Sequence, residues 1–524
     1  MTFSSTPLTP TAFLRRCAFV CPERLAVVDR ALKLTYGELW GRTRRLAGAL
    51  GRLEVPPGGR VAVLSANTHM MLEAHYGVPL GGAVLVALNM RLSPRELGYI
   101  IGHSESRVLL CDSELEALGR EANAASGGRV RLIGASEYER LVEESPEASR
   151  AVGDERELLA INYTSGTTGR PKGVMYHHRG AYLQALAMAY HSALAAGSVY
   201  LWTLPMFHCN GWCFTWAVTA AGARHVCIPR PDPAAVWRLI DEEQVTHLCA
   251  APTVLVDLAS HAAAHRPRQP VRIATGGAPP SPALLARLRE LSIDVEHLYG
   301  LTETFGPVMI CDWKPEWDAL EPERRARLKA RQGVGNLIAE APRVVTPDGS
   351  DVPANGQTLG EIVLRGNDLM LGYYRDPEAT AAAAPDGWFH TGDLGVVHAD
   401  GYVELRDRLK DVIISGGENI ASVEVEQAIS SHPSVLEVAV VARSDERFGE
   451  RPVAFVRLVA GAQASERELI EQVRKRLAGF KAPDEVVFVE SLPRTSTGKV
   501  QKFALRQQLR EPSTQKEREW ITKR

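Results

Sequence analysis

The sequence is poor in the features that would set it apart from ordinary globular proteins. No run of about 18 consecutive apolar residues occurs, so no membrane-spanning helix is expected. Neither sign of charge dominates. The 60 Lys+Arg and 62 Asp+Glu leave a formal net charge of −2, so no global field draws the chain to nucleic acid or an anionic membrane. Cysteines are few and scattered, eight in 524 residues, which excludes the dense disulfide framework of a small secreted scaffold. His208, Cys209 and Cys213 lie close in sequence, yet no second Cys/His pair at finger spacing accompanies them, so zinc is not expected there. Met1–Pro10 has no basic segment followed by an apolar core, so no signal peptide is read. The expectation is a cytoplasmic protein with reduced thiols. The G-x-S-x-G elbow and the G-x-G-x-x-G dinucleotide turn are both missing, which removes the main support for a hydrolase or a dinucleotide oxidoreductase.

One absence is local. From Gly180 to Ala223 there is no Asp, Glu, Lys or Arg, although Gln184, His191, Ser192, Pro205, His208 and Asn210 interrupt the apolar residues. This predicts buried interior: a helix to about Ala196, a strand over Val199–Leu204, then a loop. A charge-free lining of that kind suits a pocket for an apolar acid.

What is present is globular. Hydrophobic residues make up 45% and charged residues 23%, and the length favours two to four folding units. The apolar runs Arg60–Ser65, Val108–Cys111, His225–Ile228, Thr246–Ala250 and Val271–Ala274 read as buried parallel strands separated by amphipathic segments. That alternation predicts an α/β fold with helix-covered sheets. β-rich segments, Glu361–Arg365 and Gly401–Glu404, follow Gly360. From about Asp411 a smaller α+β module has strands at Val438–Ala442, Val453–Leu458 and Val486–Val489. Its helix is opened by a Ser465/Glu468 capping box and stops at Gly479. The expected division is a large N-terminal domain over 1–407, a hinge over 408–411 and a small mobile C-terminal domain over 412–524, with a frayed charged tail after Glu511.

The strongest motif is Tyr163-Thr164-Ser165-Gly166-Thr167-Thr168-Gly169-Arg170-Pro171-Lys172-Gly173, after a short strand Leu159–Tyr163. Its glycines let backbone approach an anion closely. Its hydroxyls and Lys172 offer donors to phosphate oxygens. It is not a Walker A loop, because Lys172 stands between Pro171 and Gly173 rather than before a Ser or Thr.

This loop resembles the phosphate-loop signature of the adenylate-forming superfamily of acyl- and aryl-CoA synthetases, peptide-synthetase adenylation domains and firefly-type luciferases. Further blocks resemble the family's in order. They are Gly276-Gly277-Ala278-Pro279-Pro280, Tyr299-Gly300-Leu301-Thr302-Glu303-Thr304, Gly387-Trp388-Phe389-His390-Thr391-Gly392-Asp393, Arg408-Leu409-Lys410-Asp411, Ser415-Gly416-Gly417-Glu418-Asn419-Ile420 and Pro493-Arg494-Thr495-Ser496-Thr497-Gly498-Lys499. Together they span residues 163 to 499. Pro205-Met206-Phe207-His208-Cys209-Asn210-Gly211-Trp212 resembles the acyl-pocket block of medium- or long-chain fatty-acyl-CoA synthetases.

The resemblance implies the roles. Thr164, Ser165, Gly166, Thr167, Thr168 and Lys172 would hold phosphates. Gly277, Ala278, Pro279, Tyr299 and Gly300 would surround adenine, and Asp393 and Arg408 would meet the ribose. Thr302 would bond the α-phosphate, Glu303 would hold Mg²⁺, and Lys499 would reach the reacting carboxylate and α-phosphate. Phe207, His208, Trp212 and Gly276 would line the acyl pocket, with His208 also near the thiol path. Ser415, Gly416 and Gly417 would line the CoA path, and Lys410 would be the hinge. The family usually has Gly where Asp407 stands, which bears on local backbone geometry there.

The function implied is an ATP-, Mg²⁺- and CoA-using, AMP-forming ligase of a fatty or other apolar carboxylic acid. Its partners are that acid, ATP and CoA, and homo-oligomerisation stays open. Alternatives are an amine acceptor, an unusual acid such as nitrite, a luciferase-like oxygenase, and, from another class, a non-catalytic nucleotide binder. The last would be expected to lose Lys499 or Glu303, and both are present. A peptide-synthetase domain is disfavoured because only residues 500–524 follow Lys499.

Overall fold

The computed structural model describes residues 4–164, 171–276, 280, 282–409, 411–415, 418–494 and 500–510. Outside them fall Ser165, Gly166, Thr167 and Thr168, then Gly277, Ala278 and Pro279, then Lys410, Gly416 and Gly417, Lys499 and the charged tail.

The alternation of apolar runs and amphipathic segments folds as an α/β protein. The chain divides into two compact units. One comprises Met1–Pro280, Leu284–Pro342 and Leu364–Phe389, and the other Ser281–Ala283, Arg343–Val363 and His390–Arg524.

Two sheets build the first unit. A six-stranded sheet runs in the order Arg131–Ile133, Ser106–Cys111, Arg60–Leu64, Val84–Ala87, Leu158–Thr164, Lys172–His177, parallel except for its last pair. The second sheet has nine strands among the described residues. Its centre, in the order Ile293–Leu301, Val271–Gly276, His247–Ala250, Val199–Leu201, Arg224–Cys227, Leu25–Asp29, is parallel. Val334–Gly335 and Gly306–Ile310 extend one edge and Leu32–Thr35 the other, all antiparallel.

All five apolar runs named from sequence are parallel strands in these sheets. Their continuous apolarity is explained by burial on both faces: Val61, Ala62, Val63 and Leu64 are all fully buried. One apolar core draws side chains from both sheets and from the helices Tyr36–Arg52, His69–Leu80 and Phe214–Ala220. The first of these helices opens on a capping box, in which Thr35 Oγ1 accepts from Glu38 N and Glu38 Oε2 accepts from Thr35 N.

The charge-free stretch is interior, as its composition required. Tyr200, Trp202, Phe214 and Trp216 are all fully buried. Its details differ from expectation. The helix ends at His191, because Ala193 adopts a left-handed φ of 51°. The segment expected to be a loop closes into a helical turn at Cys209–Trp212 and the helix Phe214–Ala220.

The second unit holds two further sheets. One has the order Arg343–Val345, Gly360–Leu364, Phe389–Val397, Val403–Arg408. The other has Glu418–Ile420, Ile413–Ser415, Gly449–Leu458 and Val435–Asp445, with Glu485–Phe488 beside Gly449–Leu458. Helices Ser422–Ser430 and Glu466–Arg476 cover that second sheet through Val425, Ile429, Leu469 and Val473. The Ser465/Glu468 capping box forms as expected, but the helix stops at Arg476, where Leu477 turns extended, short of Gly479. Among the described residues no helix is long and apolar enough to cross a membrane.

Candidate active site

The two ends of the hydroxyl-rich motif lie on paired strands. Leu158–Thr164 pairs antiparallel with Lys172–His177, Tyr163 opposite Gly173 and Thr164 opposite Lys172. The two strands form an arm whose base is fixed in the six-stranded sheet, and residues 165–170 between them lie outside the described residues.

The arm is thickened on its far side. Leu371 N donates to Met175 O at 2.9 Å, Met175 N to Gly372 O at 3.0 Å, and Tyr374 N to Gly173 O at 2.7 Å. This short pairing puts Tyr373 beside Lys172, whose Nζ lies 4.7 Å from the centre of the tyrosine ring. Tyr373 OH then donates to Glu303 Oε1 at 2.8 Å.

Glu303 belongs to a tight turn. The strand Ile293–Leu301 reverses through Thr302–Thr304 into Gly306–Ile310, with Gly300 paired to Pro307. Leu301 N donates to Thr304 Oγ1 at 2.9 Å, and Phe305 takes a left-handed φ of 59° to close the reversal. Two neighbours fix this turn from outside. Tyr176 OH donates to Thr302 O at 2.6 Å, and Met370 N donates to Glu303 O at 2.9 Å. Tyr176 also stacks on Phe305, ring centroids 3.9 Å apart. Tyr299, three residues before Thr302, is 8% exposed at the end of its strand.

The block from Phe207 approaches the same turn. The Cys209 thiol donates to Thr302 Oγ1 at 3.6 Å, and half-buried His208 places Nδ1 3.9 Å from that sulfur. Cys209, Asn210, Gly211, Trp212 and Cys213 all have left-handed φ, between 49° and 62°. Each non-glycine residue in that region costs about 1 kcal/mol or more, and such strain is retained where surrounding structure enforces it. The enforcing contacts include Asn210 N to Asn162 Oδ1 at 3.3 Å and the Cys213 thiol to Phe305 O at 3.4 Å.

The coil delivers Trp212 against two glycines. A Cβ at Gly276 would lie 3.2 Å from Trp212 Cη2, and one at Gly306, whose φ is 106°, would lie 3.3 Å from Trp212 Cδ1. A side chain at either glycine would crowd Trp212, and at Gly276 it would also meet Leu298 O, 2.8 Å from such a Cβ. Phe207 is buried beside it in the same core.

Thus Lys172, Thr302, Glu303 and His208 are brought together in the first unit, linked through Tyr373 and Cys209, and Trp212 meets Gly276. The second unit holds its own pair: Asp393 and Arg408 are opposite one another on adjacent strands, Arg408 Nε 3.3 Å from Asp393 Oδ1. Glu361 orders the approach to Asp393, accepting from Gly392 N at 2.9 Å and bonding His390 Nδ1 at 2.8 Å. Asp407 is buried, and it accepts from Ser422 N and from Ser422 Oγ, the latter at 3.0 Å. Burial raises its carboxyl pKa, while Lys502 pulls the other way. Ser415 is buried in the strand Ile413–Ser415, opposite Glu418.

Sequence reasoning missed Tyr176 and Tyr373, and it gave Cys209, inside the Pro205–Trp212 block, no role at this turn. Tyr176 lay three residues beyond the named loop motif and could have been found by extending it. Tyr373 is 70 residues from Glu303, and no spacing rule connects the two; only hairpin register does.

Comparison with known proteins agrees with these motifs. The model of the "AMP-binding enzyme" family matches residues 14–374, and that of the "AMP-binding enzyme C-terminal domain" matches residues 424–499. The chain is 42% identical to the peroxisomal acetate/butyrate–CoA ligase of Arabidopsis thaliana, over 97% of this chain and 95% of the relative. It is 43% identical to a 2-methylpropanoate–CoA ligase of Humulus lupulus, over 97% and 96% respectively. Among solved structures, ATP-bound MatB from Rhodopseudomonas palustris superposes with a TM-score of 0.85 at 27% identity, over 97% of this chain and all of that one. The chain belongs to the AMP-binding enzyme family, within the adenylate-forming superfamily.

Proposed function

We propose that this enzyme, an ATP-dependent, AMP-forming acid–CoA ligase, activates a small apolar carboxylic acid. The observation that carries the choice of acid is Trp212, held by a strained coil with its indole against Gly276 and Gly306. An indole wedged there shortens any pocket built on those two glycines and suits an acid of few carbons better than a long chain. The names of the two relatives, for acetate, butyrate and 2-methylpropanoate, support the same size class.

In the first half-reaction a carboxylate oxygen of the acid attacks the α-phosphorus of ATP, and pyrophosphate leaves. In the second, the CoA thiol attacks the acyl carbon, a C–S bond forms, and the C–O bond to AMP breaks. The adenylate supplies the leaving group that a free carboxylate lacks. In this reading the loop Thr164–Thr168 and Lys172 hold phosphates, Tyr299 and the 277–279 backbone face adenine, and Asp393 and Arg408 bond the ribose. Thr302 bonds the α-phosphate, its carbonyl and hydroxyl both already anchored. Lys499 offsets charge as two anions meet. By the same resemblance His208 would serve both acid and thiol, and Ser415, Gly416 and Gly417 would serve CoA.

Mg²⁺ binds through one or two carboxylates together with substrate phosphates and water, so a single oriented carboxylate, Glu303, fits it. Held there, it would supply positive charge against the phosphates of ATP. For domain organisation the reading keeps 1–407 and 412–524 as moving parts joined at 408–411. For location, eight free thiols, seven of them buried, suit a reducing cytoplasm.

The test is pyrophosphate release over an acid series from acetate to palmitate, with and without CoA. Highest kcat/KM between two and six carbons, with turnover sustained only by CoA, is expected. A maximum at long chains would overturn the size assignment.

A further inference from the structure

We propose that Tyr373 is the positioning residue for the metal-holding carboxylate, setting the rotation of the Glu303 side chain so that one oxygen faces the metal. The inference rests on the reading of Glu303 as the Mg²⁺ ligand.

The segment that carries Tyr373 grips Glu303 at both ends. Met370 N takes its backbone carbonyl at 2.9 Å, and Tyr373 OH takes Oε1 at 2.8 Å. A carboxylate on a free Glu side chain rotates about its last bond, whereas one oxygen held by a hydroxyl leaves the other with a defined direction. Mg²⁺ demands near-ideal octahedral geometry, so that direction matters more than it would for a larger cation. Hydroxyl-to-carboxylate bonds are charge-assisted, and ligating carboxylates are ordinarily held by such outer partners.

Tyr373 is itself well fixed. The pairing of residues 371–374 with Gly173–Met175 sets its backbone, and the Lys172 ammonium lies 4.7 Å from its ring centre. Tyr373 thus joins the phosphate-arm lysine to the metal carboxylate through one ring.

The experiment compares Tyr373→Phe, Glu303→Gln and the double variant. Tyr373→Phe keeps the ring beneath Lys172 and removes only the hydroxyl. Two readouts are used: the Mg²⁺ concentration for half-maximal pyrophosphate release, and Mn²⁺ affinity of the protein with a non-hydrolysable ATP analogue, followed by electron paramagnetic resonance. Tyr373→Phe is expected to weaken metal affinity by about 10-fold, the lower end for losing an outer partner of a metal ligand, with ATP-analogue affinity at saturating metal unchanged. Glu303→Gln is expected to weaken it further, and adding Tyr373→Phe to Glu303→Gln should change it by less than twofold. A shift in Glu303→Gln without one in Tyr373→Phe overturns this inference alone. Additive effects in the double variant also overturn it, because Tyr373 would then act by another route. No shift in Glu303→Gln overturns the reading of Glu303 as the metal carboxylate, and the inference with it.

Discussion

Asp393 and Arg408 face each other across two antiparallel strands, 3.3 Å between Arg408 Nε and Asp393 Oδ1, with Asp393 only 4% exposed. The arginine holds the carboxylate in one orientation, as ribose hydroxyls would need. Asp393→Asn keeps the shape and removes the charge. Its ATP KM is expected to rise about 10-fold or more, the scale for a hydrogen bond to a charged group. Steady-state kinetics with saturating acid and CoA measure it, and an unchanged KM would remove Asp393 from the nucleotide site.

Trp212→Ala should change the choice of acid more than the use of ATP. Removing an indole that touches Gly276 and Gly306 opens apolar volume at the proposed acid site. Each added methylene that then finds burial is worth about 0.8 kcal/mol, close to fourfold in kcat/KM. The length profile should therefore move toward longer acids while KM for ATP stays within about twofold. An unmoved profile would exclude Trp212 from the pocket wall.

The two half-reactions can be separated genetically. Lys499→Ala should slow adenylation by about 100-fold, the scale for one electrostatic donor in a transition state, and largely spare thioester formation from supplied acyl-adenylate. Lys410→Pro fixes φ at the proposed hinge and should do the reverse. Single-turnover assays of each step decide, and equal losses in both steps for both variants would leave no support for the rotation.

Asp407 gives a stability test. It accepts from both the backbone and hydroxyl of Ser422, at the start of the helix Ser422–Ser430. Asp407→Gly, which installs the residue common elsewhere in the superfamily, leaves those donors unmatched in a buried place. A loss of about 1–3 kcal/mol in the second unit is expected, read as a lower melting transition.

His69 supplies a pH test. It bonds Asp29 at 2.7 Å and Glu139 at 3.0 Å, and Glu139 also pairs with Arg42 at 2.8 Å. Burial opposes its charge, but those hydrogen bonds outweigh it and lift the pKa from 6.5 to about 10. A folded pKa above the unfolded one means the stabilisation is complete below about pH 6.5 and is lost as pH rises through about 10. Urea midpoints between pH 6 and 10 should fall for the native chain. They should fall less for His69→Gln.

The parallel core was readable because buried strands such as Val61–Leu64 must be apolar on both faces, and their brevity separates them from helices. Named motifs were readable because phosphate chemistry needs glycine, hydroxyl and lysine together. The left-handed coil at Cys209–Cys213 was not. Only one of its five residues is glycine, and the conformation is imposed by Asn162 and Phe305, far away in the chain. Nor was the end of the helix at Arg476, since Leu477 rather than the expected glycine breaks it.

The pairing of residues 371–374 with the phosphate arm bears on how this protein can be recombined. Tyr373 and Tyr374 are neighbours with opposite neighbourhoods: the first lies between Lys172 and Glu303, the second packs with Arg60, His103 and Arg375. Tyr373 bridges Val174 and Tyr374 opens a turn, so a slip of one residue would put the wrong tyrosine beside Lys172 and Glu303. An insertion or deletion in the stretch 365–369 would therefore act at the Glu303 carboxylate from outside the contact itself. Crossovers between homologous chains should keep residues 365–374 and the arm 158–177 from a single parent.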